Sequence, residues 1–138
     1  MSDWQHNGKV VSTVPEGAVG FLYQITNCLT GQAYVGKKLC WTRTRRKVTG
    51  KKRRKIVVKE SLWRHYWGSS EYLLADIKQF GEDAFKREIL NFYSTKVGLS
   101  YAEVEEQFKR DVLRATLADG SPAYYNKNVL GKYFRGKI

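Results

Sequence analysis

Two short alternating runs carry the clearest pattern in this chain. Tyr23 and Ile25 mark the first, Ala33 and Val35 the second, and Asn27, Thr30 and Gly31 supply turn chemistry between them. A hairpin over about residues 20–37 is expected, while residues 1–19, ending in Pro15-Glu16-Gly17, read as a loosely held lead-in. Residues 38–60 interrupt the pattern with positive charge. Thr49-Gly50 breaks that run and Ile56-Val57-Val58 is β-branched, which predicts a small hairpin with a basic tip. Ser61 then caps a short aromatic helix that Gly68 ends. Leu73, Leu74, Ile77 and Phe80 recur at three- and four-residue spacing behind Ser69-Ser70-Glu71, and predict a helix over about 70–80 stopped by Gly81. Residues 84–92 alternate partly and read as a third strand. From Ser100, the positions Tyr101, Val104, Phe108, Val112 and Leu113 describe the buried stripe of a helix over about 100–117. After a turn at 119–122 the chain ends in an irregular, basic and aromatic stretch. This order predicts an α/β or α+β domain on a small sheet, occupying residues 20–138 and carrying a basic insertion at about 38–60.

Composition adds one decisive quantity. Lysine and arginine number 25 against 13 acids, a net charge of +12, which favours a polyanionic partner through phosphate neutralisation and counterion release. The basic residues do not lie on an amphipathic helix, so nucleic acid is preferred to a membrane surface. No apolar run is long enough to span a bilayer and no secretory signal opens the chain, which places it in the cytoplasm. Cys28 and Cys40 lack the spacing of a metal site or a disulfide scaffold and read as reduced thiols.

Candidate chemistry follows from the same stretches. Tyr23, Tyr34, Gly36, Lys37 and Lys38 gather phenols, a glycine and two cations at one end of the hairpin, a place to hold a phosphate. The basic segment offers Arg43, Arg45, Arg46, Lys51, Lys52, Arg53, Arg54 and Lys55 to a nucleic-acid backbone, against the blander reading of a solvated loop. Glu105 shares the expected helix stripe with Tyr101, Phe108 and Val112, where a carboxylate costs desolvation unless it is paired or binds a metal; Glu106 is second choice. Trp63, Tyr66 and Trp67 read as core, with an aromatic wedge into DNA as the sharper alternative.

These residues resemble the two-part signature of the GIY-YIG nucleases. Tyr34-Val35-Gly36 matches its second half, and Phe21-Leu22-Tyr23 its first, with phenylalanine where the family has glycine and Gly20 one place early. Gly68-Ser69-Ser70, Phe80-Gly81, Phe85 and Glu88-Ile89-Leu90 resemble the middle of the homing-endonuclease branch, and Glu105 and Tyr125-Asn126 its metal-ligating glutamate and terminal asparagine. The likeness covers residues 20–127. It implies a three-stranded antiparallel sheet flanked by helices, with the nuclease site on the sheet face. It further implies Tyr23 as general base, its phenol lowered by Lys37, Lys38 or an arginine. Tyr34 would orient phosphate or water, Glu105 would ligate Mg2+ or Mn2+, and Asn126 would orient a phosphate or anchor the last segment. The family's arginine after the second motif corresponds to Arg43 or Arg45, and its histidine to His65, Lys37 or Lys38.

The reading is a metal-dependent DNA endonuclease acting on double-stranded DNA, alone or as a homodimer. Its size and branch point to a phage or mobile-element origin, and hence the host cytoplasm. The alternatives are a non-catalytic basic nucleic-acid-binding protein and an inactive interaction protein on the nuclease fold.

Overall fold

The computed structural model describes residues 3–50, 52–53 and 55–138, and for Arg46 the backbone alone. The expected hairpin is present: β3 (Gly20–Asn27) and β4 (Ala33–Leu39) pair antiparallel, and β7 (Phe85–Tyr93) flanks β3 antiparallel on its other side. The sheet nevertheless has five strands rather than three: with β1 (Trp4–His6) and β2 (Lys9–Val10) the order is β2-β1-β7-β3-β4. The extra pair comes from the expected lead-in. β1 and β2 form a hairpin, and β1 adds parallel to β7, making the sheet mixed and the fold α+β.

Its turn is Asn7-Gly8, with φ of 52° and 80°, the left-handed pair that a two-residue hairpin requires. Trp4 fastens the addition. The indole is buried against Phe21 and Tyr23, with ring centroids 5.1 and 5.3 Å away, and its Nε1 donates to the Trp63 carbonyl at 2.7 Å. Burying that much aromatic area outweighs ordering ten residues with little alternation of their own.

One face of the sheet carries Trp4, Phe21, Tyr23, Ile25 and Ile89 beneath α1 (Glu71–Phe80) and the aromatic segment that precedes it. The helix starts and stops as its sequence predicts: Ser70 Oγ accepts from Leu73 N and Gly81 closes it at φ 89°. The segment before it is only a 3-10 turn, Trp63–His65. Ser61 does not cap it, because its hydroxyl donates to the Leu39 carbonyl at 2.6 Å. Trp63 is buried as expected, while Tyr66 and Trp67 are half-buried.

The other face carries Leu22 and Val35 beneath α2 (Lys96–Lys109). This helix begins and ends earlier than expected. Thr95 caps it, accepting from Gly98 N at 3.0 Å, and Asp111 at φ 52° turns the chain away. The buried face is Leu99, Ala102 and Gln107, whereas Tyr101 and Phe108 are exposed.

The basic segment forms β5 (Trp41–Arg46) and β6 (Lys55–Glu60), an antiparallel pair outside the main sheet. The irregular end holds a small hairpin, β8 (Asn128–Val129) with β9 (Tyr133–Phe134). Arg135 pins it, its guanidinium donating to the carbonyls of Val112, Tyr124 and Asn126. Among the described residues no helix is long and apolar enough to cross a membrane.

Candidate functional site

β4 is an edge strand, and its free edge is where the candidate residues meet. An exposed edge offers unpaired N–H and C=O groups that must find partners. Here they are covered position by position. Ala33 N donates to the Ala123 carbonyl at 3.0 Å, and its own carbonyl accepts from Tyr125 N at 2.7 Å. Val35 is clasped by Asn126, whose Oδ1 accepts from Val35 N at 3.1 Å and whose Nδ2 donates back to Val35 O at 2.9 Å. Gln107 Nε2 adds a second donor to Val35 O at 3.1 Å. The Lys37 backbone N–H is the hydrogen-bond donor to the Glu103 carboxylate. Asn126 therefore anchors the last segment, with its amide occupied by backbone.

On the face above this edge stand three phenols. Tyr23 lies opposite Gly36 and Tyr34 opposite Ile25, so the two tyrosines share a face, their centroids 6.2 Å apart. Gly36 is required there: a Cβ would sit 2.6 Å from Tyr23 Oη and 2.9 Å from Tyr34 Cε2. The space that this glycine leaves is taken by Tyr23 itself, not by a ligand. Tyr66 meets Tyr23 edge to face at 5.8 Å, and the Lys38 ammonium lies 4.4 Å over the Tyr66 ring.

Burial governs the ionisation of these groups. Tyr23 is 1% exposed, and desolvation, followed by the neighbouring phenols, pushes its hydroxyl well above the ordinary range. The expected lowering by lysines does not arise, since Lys38 stacks on Tyr66 and Lys37 Nζ donates to Ser100 Oγ at 2.7 Å. Tyr34, half-buried, is also raised by desolvation, while a hydrogen bond with Ser69 draws it back. Glu103 is raised by desolvation against the pull of Lys37. Tyr34, Ser69, Glu103, Gln107, Asn126 and Lys127 line one cleft of about 500 Å³. Glu103, half-buried and facing this polar cleft beside a phenol, is the side chain there that could ligate a cation.

The structure thus brings together Tyr23, Tyr34, Gly36, Lys38 and Asn126, with Lys37 on the α2 side of the same strand. It does not bring Glu105 to them. Glu105 is exposed, and two residues along a helix place it about 200° around the axis from Glu103. Glu106 pairs with Arg110 at 3.0 Å. The aromatic stripe that singled out Glu105 is the outer side of α2, with Phe108 resting on Tyr133 at 5.9 Å. The usable signal was Ala102 beside Glu103 with Gln107 one turn on, a small residue and an amide where a helix approaches a strand edge.

His65 is exposed and lines a separate groove with Asp3, Val11 and Trp67. Arg43 and Arg45 are exposed on β5, and Lys52, Arg53 and Lys55 are exposed toward the far end of that hairpin. Lys51, Arg54 and the Arg46 side chain lie outside the described residues. One residue was missed altogether. Arg87, 4% exposed, lies between the Trp4 and Trp67 rings at 4.8 and 4.2 Å. It donates to the carbonyls of Arg64 and Tyr66, which holds the Tyr66 segment over the sheet, and burial lowers its guanidinium to about 10.

A family model described as "Putative endonuclease segE, GIY-YIG domain" matches residues 4–129. The chain belongs to this GIY-YIG family and carries a nuclease domain, whose substrate is nucleic acid. The match begins at Trp4, so the matched span includes the β1–β2 hairpin. Comparison with curated proteins and with solved structures gave no match.

Proposed function

We propose that the protein is a divalent-metal-dependent endonuclease hydrolysing phosphodiester bonds in double-stranded DNA at the β4-edge cleft, with Glu103 as the carboxylate that holds Mg2+ or Mn2+. The observation that carries this is the meeting of Glu103 and Tyr34 in one polar cleft of about 500 Å³. Among the described residues no three histidine, cysteine or acidic side chains gather, and the cleft's second acid, Glu71, is paired with Lys127 at 2.8 Å, so a cation there would lean on Glu103, water and the substrate's own oxygens. When bound it would stabilise charge on the phosphoryl group and assist the leaving oxygen.

The chain's own groups divide the remaining work. Tyr34 borders the cleft and is the phenol placed to orient the attacking water through its hydroxyl. Tyr23 is shut from solvent; it holds Tyr34 and Tyr66 in register from behind. Lys127, which lines the cleft, and Lys38, over Tyr66, are the candidates to neutralise the scissile phosphate, and Lys37 sits on the Glu103 side. Asn126 and Gln107 fix the strand edge on which the cleft rests. Arg43, Arg45, Lys52, Arg53 and Lys55 extend the positive surface along β5 and β6.

The test uses supercoiled and linear plasmid with and without Mg2+ or Mn2+. Wild type and Glu105→Gln should cut in metal, and Glu103→Gln should bind DNA without cutting. Plasmid left intact by wild type under both metals, while still bound, would leave a non-catalytic DNA-binding protein.

A further inference from the structure

The β5–β6 pair is an isolated ribbon with both faces open. Residues opposite one another across an antiparallel pair share a face. Trp41, Arg43 and Arg45 face the same way as Glu60, Val58 and Ile56, while Thr42 and Thr44 share the other face with Lys59 and Val57. The arginine face is unpacked: Ile56 is 48% and Val58 57% exposed. A two-stranded ribbon is at best marginally stable alone, so one that keeps apolar and cationic side chains open is shaped for a partner. The ribbon's one acid, Glu60, does not compensate the arginines, because it is held by Trp63 Nε1 and the Arg64 guanidinium.

The root of the ribbon is fixed to the domain. Trp41 Nε1 donates to the Ala18 carbonyl at 3.0 Å, Cys40 N to Val19 O at 2.9 Å and Ser61 N to Cys40 O at 2.8 Å. β5 follows β4 with only Cys40 between them. The cationic face therefore projects from the end of the strand whose edge builds the cleft. Six residues per strand make a ribbon of roughly 20 Å. Two strands about 5 Å apart fit a major groove about 12 Å wide.

We propose that this ribbon enters the major groove of B-form DNA and reads guanine through Arg43 and Arg45, with Ile56 and Val58 against base methyl and sugar surfaces. Arginine's planar fork matches guanine O6 and N7, which lysine does not reproduce. Threonines and lysines on the opposite face are suited to the flanking phosphates. Eight residue steps run from Val35 to Arg43 and ten to Arg45, at most about 26 and about 33 Å at strand rise. At about 3.4 Å per base step, the guanines read lie within one helical turn of the bond cut. Only this last distance rests on the nuclease reading; the groove contact does not.

The experiment uses the full chain as Glu103→Gln with a random duplex pool in Mg2+. Selection should enrich guanine at fixed positions. Replacing those guanines by 7-deazaguanine, which lacks the N7 acceptor, should weaken wild-type and Glu103→Gln binding roughly tenfold. Arg43→Ala or Arg45→Ala in that background should erase the sensitivity and relax the preference. Lys59→Ala should weaken all sequences alike and keep the preference. Tight binding with no enrichment, or binding indifferent to 7-deazaguanine in the unsubstituted ribbon, overturns the groove contact and leaves the nuclease reading standing. Binding to RNA duplex alone also overturns it, since the A-form major groove is too narrow to enter. Failure of wild type to bind or cut any DNA sinks the nuclease reading itself.

Discussion

Two hairpins follow one another in this chain and share little except their hydrogen-bond pattern. In β3–β4, Phe21, Ile25 and Val35 are fully buried, and the pair is packed from both faces. In β5–β6, every described side chain but one is exposed. The first is held by side chains and the second by its backbone ladder and root. A reaction site needs groups fixed to within fractions of an ångström, which only the packed hairpin provides. A surface that must meet a polyanion needs uncompensated charge in water, which only the open hairpin provides.

The largest way to sharpen this contrast is truncation of an aromatic in the packed hairpin. Phe21→Ala should lose about 3–5 kcal/mol in urea unfolding, whereas Ile56→Ala in the open hairpin should stay within about 0.5 kcal/mol. Equal losses would mean that the ribbon is packed in solution. Next in size is the carboxylate pair on α2. Glu103→Gln should lower single-turnover cleavage in Mg2+ by roughly 10²-fold or more, with Glu105→Gln near wild type. The reverse order would return the role to the outer face of the helix.

The third prediction concerns pH. Desolvation holds the Glu103 carboxyl above its ordinary range, so cleavage in Mg2+ should climb as pH rises through that raised value. A raised folded-state value stabilises the fold at low pH, and that contribution fades as pH rises through it. Glu103→Gln should therefore melt above wild type at neutral pH without metal. A lower Tm would show that the carboxylate mainly serves the Lys37 backbone. The smallest effect is electrostatic. Lys52→Ala and Lys59→Ala should each flatten the salt dependence of DNA binding by about one unit of slope, leaving stability unchanged. An unaltered slope would remove the ribbon from the interface.

Much of the frame was legible because its signals are local. Ser70 and Gly81 bound α1 through a cap and a left-handed residue, and Asn27 with Gly31 closes the β3–β4 turn. Asn7-Gly8 is an equally local signal, and read as a two-residue turn it would have exposed the β1–β2 hairpin. The face of α2 was not legible in the same way. Tyr101 and Phe108 make the more hydrophobic stripe, yet the helix turns Ala102 and Gln107 inward. A strand edge admits a small residue and rewards an amide that can bond its free carbonyl.

The sequence alone determined the phenols, the β3–β4 turn residues, the positive charge and the order of the central strands and the two helices, all consequences of residue chemistry at short range. Only the tertiary structure decided which carboxylate of Glu103, Glu105 and Glu106 faces the cleft. It also decided that Asn126 clasps Val35, that Trp4 adds two strands, and that Tyr23 is shut away while Tyr34 is not. Those outcomes depend on which surfaces meet across the fold, and burial, rather than residue type, sets what each ionisable group can do.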